Sequence, residues 1–409
     1  MDKLKKHEYS MDSCNHCGQC KWILPPKMHG WDFAEICPIH QYHRFDAYSG
    51  QGLLNISKEV LTGRLKPGEG LEKALYSCTL CGACDVNCKN VRDIEVLETI
   101  HALRELCARE GTVPASLMKQ LRCVEESHNI YGRPHAQRFD WLGADFKDSP
   151  DADTALFVGC SVYAHPEIAL AAIKLLKAGG VKFRLLREEE WCCGASLWRS
   201  GFDEQSGNLI RRNIGSFKAL GIKTLITACA ECFGAFRGIY PRFGEMDIEV
   251  LHISQLVLRL LKEGKISIRT MERPMRVTYH DPCMLGRLSE PWEPWEGEIK
   301  PFGLHVPEKK WRRGHDGVYS EPRELMAAIP GLELVEMPRN RENALCCGFH
   351  AGETDPGMSD FTASQRMREA AAVGAEKIVS CCPFCMEALP GSLDLCVLLA
   401  GQLEEGGGV

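Results

Sequence analysis

The apolar positions in the first third of the chain follow a helical pattern. In the segment 93–110, apolar side chains recur at helical spacing from Ile94 to Leu103. The segment 113–129, VPASLMKQLRCVEESHN, predicts a further helix. We therefore expect this part of the chain to be mainly α-helical.

The pattern changes after a polar segment with scattered proline and glycine at residues 130–153. From there, short apolar runs alternate with longer amphipathic stretches. TALFVG, VKFRLL and IKTLITA predict buried strands, and PEIALAAIKLLKAGG and EQSGNLIRRNIGSFKALG predict the helices between them. Strands that alternate with helices favour an α/β domain.

The same order of elements then returns, with a period of roughly 120 residues. MRVTYHDPC, LELVEM and EKIVS predict strands, and PRELMAAIPG and SDFTASQRMREAAAVG predict helices. We predict three domains: a helical one at 1–145, an α/β one at 146–268, and a second α/β one at 269–409 that carries a tryptophan-containing insertion. The closing EEGGGV is expected to be a frayed tail rather than a phosphate-binding loop.

Length and charge narrow the class of protein. The chain has 409 residues, enough for two or three domains, and a net charge of -6, which argues against a polybasic surface for nucleic acid. It contains no run of roughly eighteen apolar residues that would span a bilayer, and the opening MDKLKKHEYSMDSC lacks the apolar core of a signal peptide. We expect a cytoplasmic protein, or one held at the inner face of a membrane through a partner.

Cysteine is the unusual feature of the composition, with 22 residues. Disulfide frameworks belong mainly to secreted proteins, whereas a reduced protein that keeps many thiols commonly uses them as metal ligands. Metal ligation is therefore the favoured interpretation.

The first eight of these cysteines form two runs, CNHCGQC with a later Cys-Pro, and CTLCGACDVNC. This spacing is typical of [4Fe–4S] cubanes, and two runs close together resemble two-cluster ferredoxins, in which the fourth cysteine of each run serves the other cluster. The predicted ligands are Cys14, Cys17, Cys20 and Cys88 for one cluster and Cys37, Cys78, Cys81 and Cys84 for the other. A pair of structural zinc sites is the alternative.

This ferredoxin pattern has two departures. Sixteen residues separate Cys20 from Cys37, where three are usual, and Lys89 follows Cys88, where proline is usual. A loop insertion costs little entropy, so the first departure is compatible with a cluster.

The remaining pattern is a pair of adjacent cysteines that occurs once in each α/β half, in WCCGAS and LCCGFH. Each half brings five thiols to strand ends and helix starts, where they meet at one edge of an open sheet. Five ligands exceed what one zinc ion or a simple cubane requires, and adjacent thiols can hold different irons of one cluster. The predicted sets are Cys160, Cys192, Cys193, Cys229 and Cys232, and Cys283, Cys346, Cys347, Cys382 and Cys385.

The motifs FVGCSVY, EWCCGAS and TACAECF, and then YHDPCMLGR, ALCCGFH and SCCPFC, resemble those of the cysteine-rich CCG-domain iron–sulfur proteins. The architecture is similar to that of the catalytic heterodisulfide reductase subunits over nearly the whole chain. The resemblance implies an α+β multidomain fold, with an α-helical two-cluster ferredoxin domain followed by two repeated α/β CCG domains. It also implies two [4Fe–4S] cubanes and one or two noncubane [4Fe–4S] clusters.

Two functions follow from this resemblance. The first is an enzyme subunit that takes electrons through the cubanes and reduces a heterodisulfide at the CCG sites. The alternative is an electron-transfer subunit between a flavin-dependent dehydrogenase and quinone or cytochrome. Independently of the resemblance, a structural zinc-binding interaction protein is a third hypothesis. A flavin or nicotinamide would come from a partner, because no convincing nucleotide-binding loop is present. The partner would be a membrane cytochrome b or a soluble flavoprotein.

Some residues near the motifs have open roles. His280 and His350 are candidate proton donors, because imidazole titrates near neutrality, with a supporting hydrogen bond near a cluster as the alternative. Cys381 is an extra thiol that could replace Cys382. The segment between Leu288 and Gly317 is an insertion whose aromatic residues form either a docking surface, a substrate wall or a cap on its own domain.

Overall fold

Helices build the chain up to residue 127, and each half of the remainder is arranged around a four-stranded parallel sheet. The computed structural model describes residues 1–92 and 94–404. The expectations for Asp93 and for most of the closing EEGGGV fall outside the described residues. Within the described ranges, no helix combines the length and apolar character needed to cross a bilayer.

The helical domain confirms the periodicity of the first third of the chain. Its longest helix is buried almost throughout, and α4 and α7 pack together in the centre of the domain. Ser49 caps α4, since its hydroxyl accepts a hydrogen bond from the Gly52 N–H at 3.1 Å. The helices are α1 (Asp2–Lys5), α2 (Glu8–Asp12), α3 (Pro38–His43), α4 (Gly50–Leu61), α5 (Glu69–Ser77), α6 (Ala83–Lys89), α7 (Val96–Arg109) and α8 (Ala115–Ser127).

The first α/β domain has a sheet in the order β2-β1-β3-β4, with every pair parallel. The chain reverses its direction of winding between β1 and β3, and the carboxyl ends of strands at such a point are where open α/β sheets bind ligands. Its elements are β1 (Thr154–Phe157), α9 (Pro166–Ala178), β2 (Arg184–Leu185), α10 (Ala195–Ser200), α11 (Asp203–Ala219), β3 (Thr224–Thr227), α12 (Ala230–Gly234), β4 (Glu249–His252) and α13 (Ile253–Lys262).

The second α/β domain repeats this topology, in the order β8-β5-β9-β10. The predicted internal repeat is thus confirmed at the level of strand order. Its elements are β5 (Met275–Tyr279), the hairpin β6 (Glu298–Lys300) and β7 (Leu304–Val306), α14 (Ser320–Ala327), β8 (Leu332–Leu334), α15 (Pro356–Ala372), β9 (Lys377–Ser380), α16 (Pro383–Ala388), β10 (Leu393–Asp394) and α17 (Leu395–Gly401).

The two edge strands β2 and β8 are shorter than the sequence predicted. VKFRLL contributes only two residues to the first sheet, and LELVEM contributes three to the second. Each lies at the edge of its sheet and pairs with a single neighbouring strand.

The insertion between Leu288 and Gly317 contacts the helical domain, which the prediction of a cap on its own domain did not include. Arg312 donates to both Asp85 and Glu98 at 3.1 Å, and the Trp292 indole N–H donates to Glu95 at 3.1 Å. The unusual Lys89 joins the same cluster, because its ammonium pairs with Asp85 at 2.8 Å and with Glu95. Lys89 and the insertion therefore share one buried network of ions.

Helices α9 and α17 pack where the two α/β domains meet, and a buried carboxyl group lies at this junction. Asp394 caps α17 by accepting from the Cys396 N–H at 2.8 Å. Burial raises the pKa of Asp394 to about 7, aided by Glu167 and opposed by the backbone hydrogen bonds and by His165. Between about pH 4 and pH 7, the carboxyl group of Asp394 therefore keeps a proton in the folded protein that it has lost in the unfolded chain.

We expect the D394N variant to flatten the fall in stability that occurs between about pH 4 and pH 7. In this window the native state binds more protons at residue 394 than the unfolded state, so stability falls as pH rises. Asparagine also caps helices but carries no titrating proton. Thermal unfolding at pH 5.0 and 7.5 measures the effect. Other titrating groups are common to both proteins, so equal slopes would contradict it.

Candidate iron–sulfur sites

The first predicted cubane set is assembled from two distant parts of the chain. Gly18 adopts a left-handed conformation, with φ +79°, just before the short turn that carries Cys20, and Cys88 lies on α6. Burial raises the pKa of Cys88, and the nearby thiols of Cys14, Cys17 and Cys20 raise it further. Cys17 is exposed, so this set lies close to the protein surface.

The second predicted set, Cys37, Cys78, Cys81 and Cys84, lines a single small cavity. Cys37 reaches it because the sixteen-residue loop folds back on itself. The Ile23 N–H donates to Ala34 at 2.8 Å and the Ile36 N–H donates to Lys21 at 2.8 Å. The long gap after Cys20 is thus a closed loop that leaves the ligand pattern intact.

Gly50 separates the two sets at the start of α4. A methyl group at this position would lie 3.0 Å from the Cβ of Cys84, 3.1 Å from Val96 and 3.2 Å from the Cβ of Cys20. Cys20 and Cys84 belong to different sets, so the two sites are neighbours that approach each other across this glycine.

The G50A variant is expected to bind less iron at the helical domain. Its methyl group would push apart cysteine backbones that a rigid cluster requires at fixed positions, and overpacking of this kind typically costs about 1–3 kcal/mol. Iron and acid-labile sulfide per chain, compared with a G70A control at an open surface position, provide the measurement. Iron contents equal to wild type in both variants would contradict the close approach.

In the first CCG domain, the structure brings the five predicted thiols into one contact chain. Cys160 follows β1 and contacts Cys192, and Cys193 contacts Cys232, which in turn contacts Cys229. All five are buried. Cys229 ends the loop after β3 and Cys232 lies in the first turn of α12, so the site sits where the sheet reverses its winding.

The second CCG domain repeats this arrangement. Cys346 contacts Cys347, and Cys347 contacts Cys385, which contacts Cys382. Cys283 is close enough to influence the pKa of Cys346. The neighbouring Cys381 instead lies against Tyr279, outside this chain of thiols. The structure therefore favours Cys382 over Cys381 as the ligand.

The backbone geometry explains why glycine follows the two cysteines in each Cys-Cys-Gly motif. Gly194 and Gly348 have φ values of +82° and +96°, in the left-handed region that side chains rarely adopt. In this conformation the Gly194 N–H points at the Cys192 sulfur at 3.4 Å, and the Gly348 N–H points at Cys346 at the same distance. Hydrogen bonds to cluster sulfurs are a recognised way to tune an iron–sulfur centre.

The electrostatics of these thiols fit a metal centre. Burial is the largest cause that raises the pKa of Cys283, to about 12, whereas hydrogen bonds from Cys192 and Cys232 lower the pKa of Cys193 to about 6. Five crowded thiols cannot all ionise in a buried site without positive charge. Soft thiolates select iron–sulfur clusters and zinc, and five of them at one site exceed the needs of a single zinc ion.

A buried group of charges joins the second CCG site to the first and to the cubane loop. Arg199, on the helix that follows Cys193, donates to Glu231 at 2.8 Å and to the Cys283 sulfur at 3.7 Å. It also donates to the backbone carbonyl of Thr79 at 2.8 Å. Glu231 lies between Cys229 and Cys232 in the chain. Burial would raise the pKa of Glu231, but Arg199 and the imidazole of His350 lower it to about 2.

The two candidate histidines lie in different surroundings. His350 is partly exposed, and its Nε2 lies 3.2 Å from Glu231, so it borders this charged group. His280 is buried, and one of its ring nitrogens lies within 4.8 Å of the sulfurs of Cys347 and Cys385. Burial and Arg366 lower the pKa of His280 to about 3.

Sequence reasoning missed Arg199 and Glu231. The only signal for Glu231 was its place inside the Cys229-x2-Cys232 motif, and Arg199 carried none, because its contacts are all distant in sequence. Arg287 was also missed, although its guanidinium binds the carbonyl of Cys81 at 2.6 Å.

Comparison with protein families matches domains to the parts of the chain that carry these cysteines. Residues 10–91 match the 4Fe-4S dicluster domain, and residues 154–237 and 305–389 match the cysteine-rich CCG domain. The second match begins at residue 305, within the insertion, and so does not include Cys283.

Three relatives show the range of proteins with this architecture. The D subunit of the dihydromethanophenazine:CoB–CoM heterodisulfide reductase of Methanosarcina mazei is 31% identical, over 94% of this chain and 89% of its own. The EtfAB:quinone oxidoreductase of Syntrophomonas wolfei is 26% identical over 92% of this chain and 54% of its own. The B subunit of the fumarate reductase (CoM/CoB) of Methanothermobacter marburgensis is 27% identical over 80% and 58%.

These relatives are redox proteins. The first eight cysteines of the chain lie within the match to the 4Fe-4S dicluster domain, and both adjacent-cysteine motifs lie within the matches to the cysteine-rich CCG domain. The predicted fold, a two-cluster ferredoxin domain followed by two CCG domains, is confirmed. The chain is an iron–sulfur oxidoreductase subunit that belongs to the CCG-domain family and is related to the D subunit of heterodisulfide reductase.

Proposed function

We propose that the protein reduces a disulfide at its paired CCG sites with electrons delivered through the two cubane sites. The observation that carries this proposal is the contact between Cys81 of the second cubane set and Cys346 of the second CCG set. It joins the ferredoxin domain to a predicted reaction site through adjacent ligands. Two complete sets of five thiols favour bond cleavage over simple electron relay.

The route of electrons follows from the neighbours of each set. The exposed Cys17 places the first cubane site at the surface, where a redox partner would deliver electrons. Gly50 separates this site from the second cubane site, and Cys81 leads from there to the second CCG set. Arg199 and Glu231 then connect the second CCG set with the first.

Cleavage of a disulfide consumes two electrons and two protons and yields two thiols. Iron–sulfur clusters bound at the CCG sites would supply single electrons and a soft metal that accepts sulfur. The chain's own residues would hold these groups in place and shield them, since all five thiols of the first set and four of the second are buried. Arg199 would balance the negative charge of the thiolates.

We further propose that His350 carries a proton to the nascent thiolate. Its imidazole is partly exposed and can exchange protons with solvent. Burial lowers the pKa of His350, and Glu231, 3.2 Å from Nε2, opposes this shift. His280, with its pKa lowered to about 3, is buried away from solvent and is suited to another role.

The test is an EPR measurement on the anaerobically purified protein after oxidation with and without candidate thiols. A paramagnetic signal that requires a thiol supports disulfide chemistry. Absence of the signal for every thiol tried, with the clusters present, would overturn the proposal.

The similarity to an EtfAB:quinone oxidoreductase favours a second candidate, an electron-transfer subunit between a flavoprotein and quinone or cytochrome. It would use the same sites without bond cleavage. Purification of the native complex distinguishes the partners expected in either case, a membrane cytochrome b or a soluble flavoprotein.

A further inference from the structure

We propose that His280 donates a hydrogen bond to sulfur at the second CCG site and thereby gives the two CCG sites different reduction potentials. This inference rests on the proposed function, because it assumes clusters at both sites. Its geometric basis is the ring nitrogen of His280 that lies within 4.8 Å of the sulfurs of both Cys347 and Cys385. His280 is 1% exposed, so water does not compete for this contact.

Arg366 fixes which nitrogen of the ring carries the proton. Its Nε donates to Nδ1 of His280 at 3.2 Å. Arginine is a donor only, so Nδ1 must be the acceptor and Nε2 must hold the N–H of the neutral ring. A protonated Nε2 cannot bind iron, whereas it can donate to a thiolate or to a cluster sulfur. His280 is therefore a hydrogen-bond donor rather than a metal ligand.

The arginine is itself held in place. Arg366 pairs with Glu369 and donates to the carbonyl of Arg339 at 3.0 Å, and Arg339 in turn donates to Glu369 at 2.9 Å. Arg339, Arg366 and Glu369 have no exposed surface. A network this rigid orients the imidazole before any cluster binds.

A phenylalanine takes the corresponding place at the first CCG site. The repeat has Phe157 three residues before Cys160, where His280 stands three residues before Cys283. Phe157 is the last residue of β1 and pairs with Thr227, two residues before Cys229. His280 directly follows the equivalent strand β5, and its N–H donates to Val379, three residues before Cys382. Phe157 packs edge-on against Phe236, with ring centroids 4.9 Å apart. The second CCG site therefore has a hydrogen-bond donor, His280, where the first has the apolar ring of Phe157.

The consequence is a fixed order of reduction. A hydrogen bond to sulfur stabilises the negative charge of an added electron, which raises the reduction potential. The second CCG site also receives electrons first, through Cys81. We infer that it fills before the first site and holds one electron until another arrives.

The H280F variant tests this idea, because it installs the residue that the first repeat already uses. We expect its second CCG site to be about tenfold harder to reduce, which corresponds to about 59 mV for a one-electron couple. EPR-monitored redox titration of the whole protein measures this potential. The C193A background removes the first site's signal and so assigns the second.

The H280Q variant is the matched control. The Oε1 of the glutamine can accept from Arg366 and its Nε2 can donate to sulfur. The equilibrium constant for reduction of the second CCG site is therefore expected to stay within about threefold of the wild-type value. An unchanged potential in H280F, or an equal shift at both CCG sites, would overturn the inference. Loss of iron from the second site in both variants would also overturn the inference, because it would show that His280 is needed for the cluster to bind.

These outcomes are separable from failure of the proposed function. A wild-type protein without iron at either CCG site would refute the proposed function itself. A wild-type protein with both clusters, and an H280F variant that titrates like it, would refute only the role of His280.

Discussion

Replacement of Cys382 by alanine is expected to empty the second CCG site and to lower disulfide-dependent turnover by at least about 100-fold. Cys382 completes the chain of thiols through its contact with Cys385, and changes only one layer outside a metal site already cost about 10–100-fold. Iron per chain and turnover with a disulfide substrate measure the two effects. The helical domain should retain its cubane signals.

The neighbouring C381A variant is the control that the sequence itself provides. Cys381 is equally buried but lies against Tyr279, so its loss should leave iron content unchanged. Equal loss of iron in C381A and C382A would contradict the assignment of the ligand. A larger loss in C381A would reverse it.

Removal of Arg199 is expected to be the most damaging change outside the cysteines. The R199M variant removes the arginine partner of the buried Glu231, and breaking a buried pair typically costs about 3–5 kcal/mol. It also withdraws a positive charge from Cys283, which should make the second CCG site harder to reduce. Thermal unfolding and redox titration report the two effects separately.

The R199K variant keeps the charge but loses the fork that reaches Glu231, Thr79 and Cys283 together. Its potential is expected to lie between those of R199M and wild type. An R199M protein with wild-type stability would show that the buried pair contributes little. An unchanged potential would show that Arg199 does not influence the cluster.

The cysteine pattern predicted most of the architecture because its spacing follows local chemistry. Cys160, Cys229 and Cys382 each follow a strand, and the parallel order of the strands in each sheet brings such residues to one edge. The assignment of the ligands to particular clusters stays a prediction.

The junctions between domains were not predictable from periodicity. The contact of Cys81 with Cys346 joins residues far apart in the chain, and Arg312 reaches Asp85 across a domain boundary. The charged and aromatic residues of the insertion were visible in the sequence, but they were interpreted as a docking surface, a substrate wall or a cap. Only the fold shows that they bind the helical domain.

The most direct test of this account is an anomalous difference map at the iron edge, from crystals grown without oxygen. The account predicts iron at four places: two in the helical domain on either side of Gly50, and one at each set of five thiols. Iron confined to the helical domain, or zinc at the CCG sites, would contradict it.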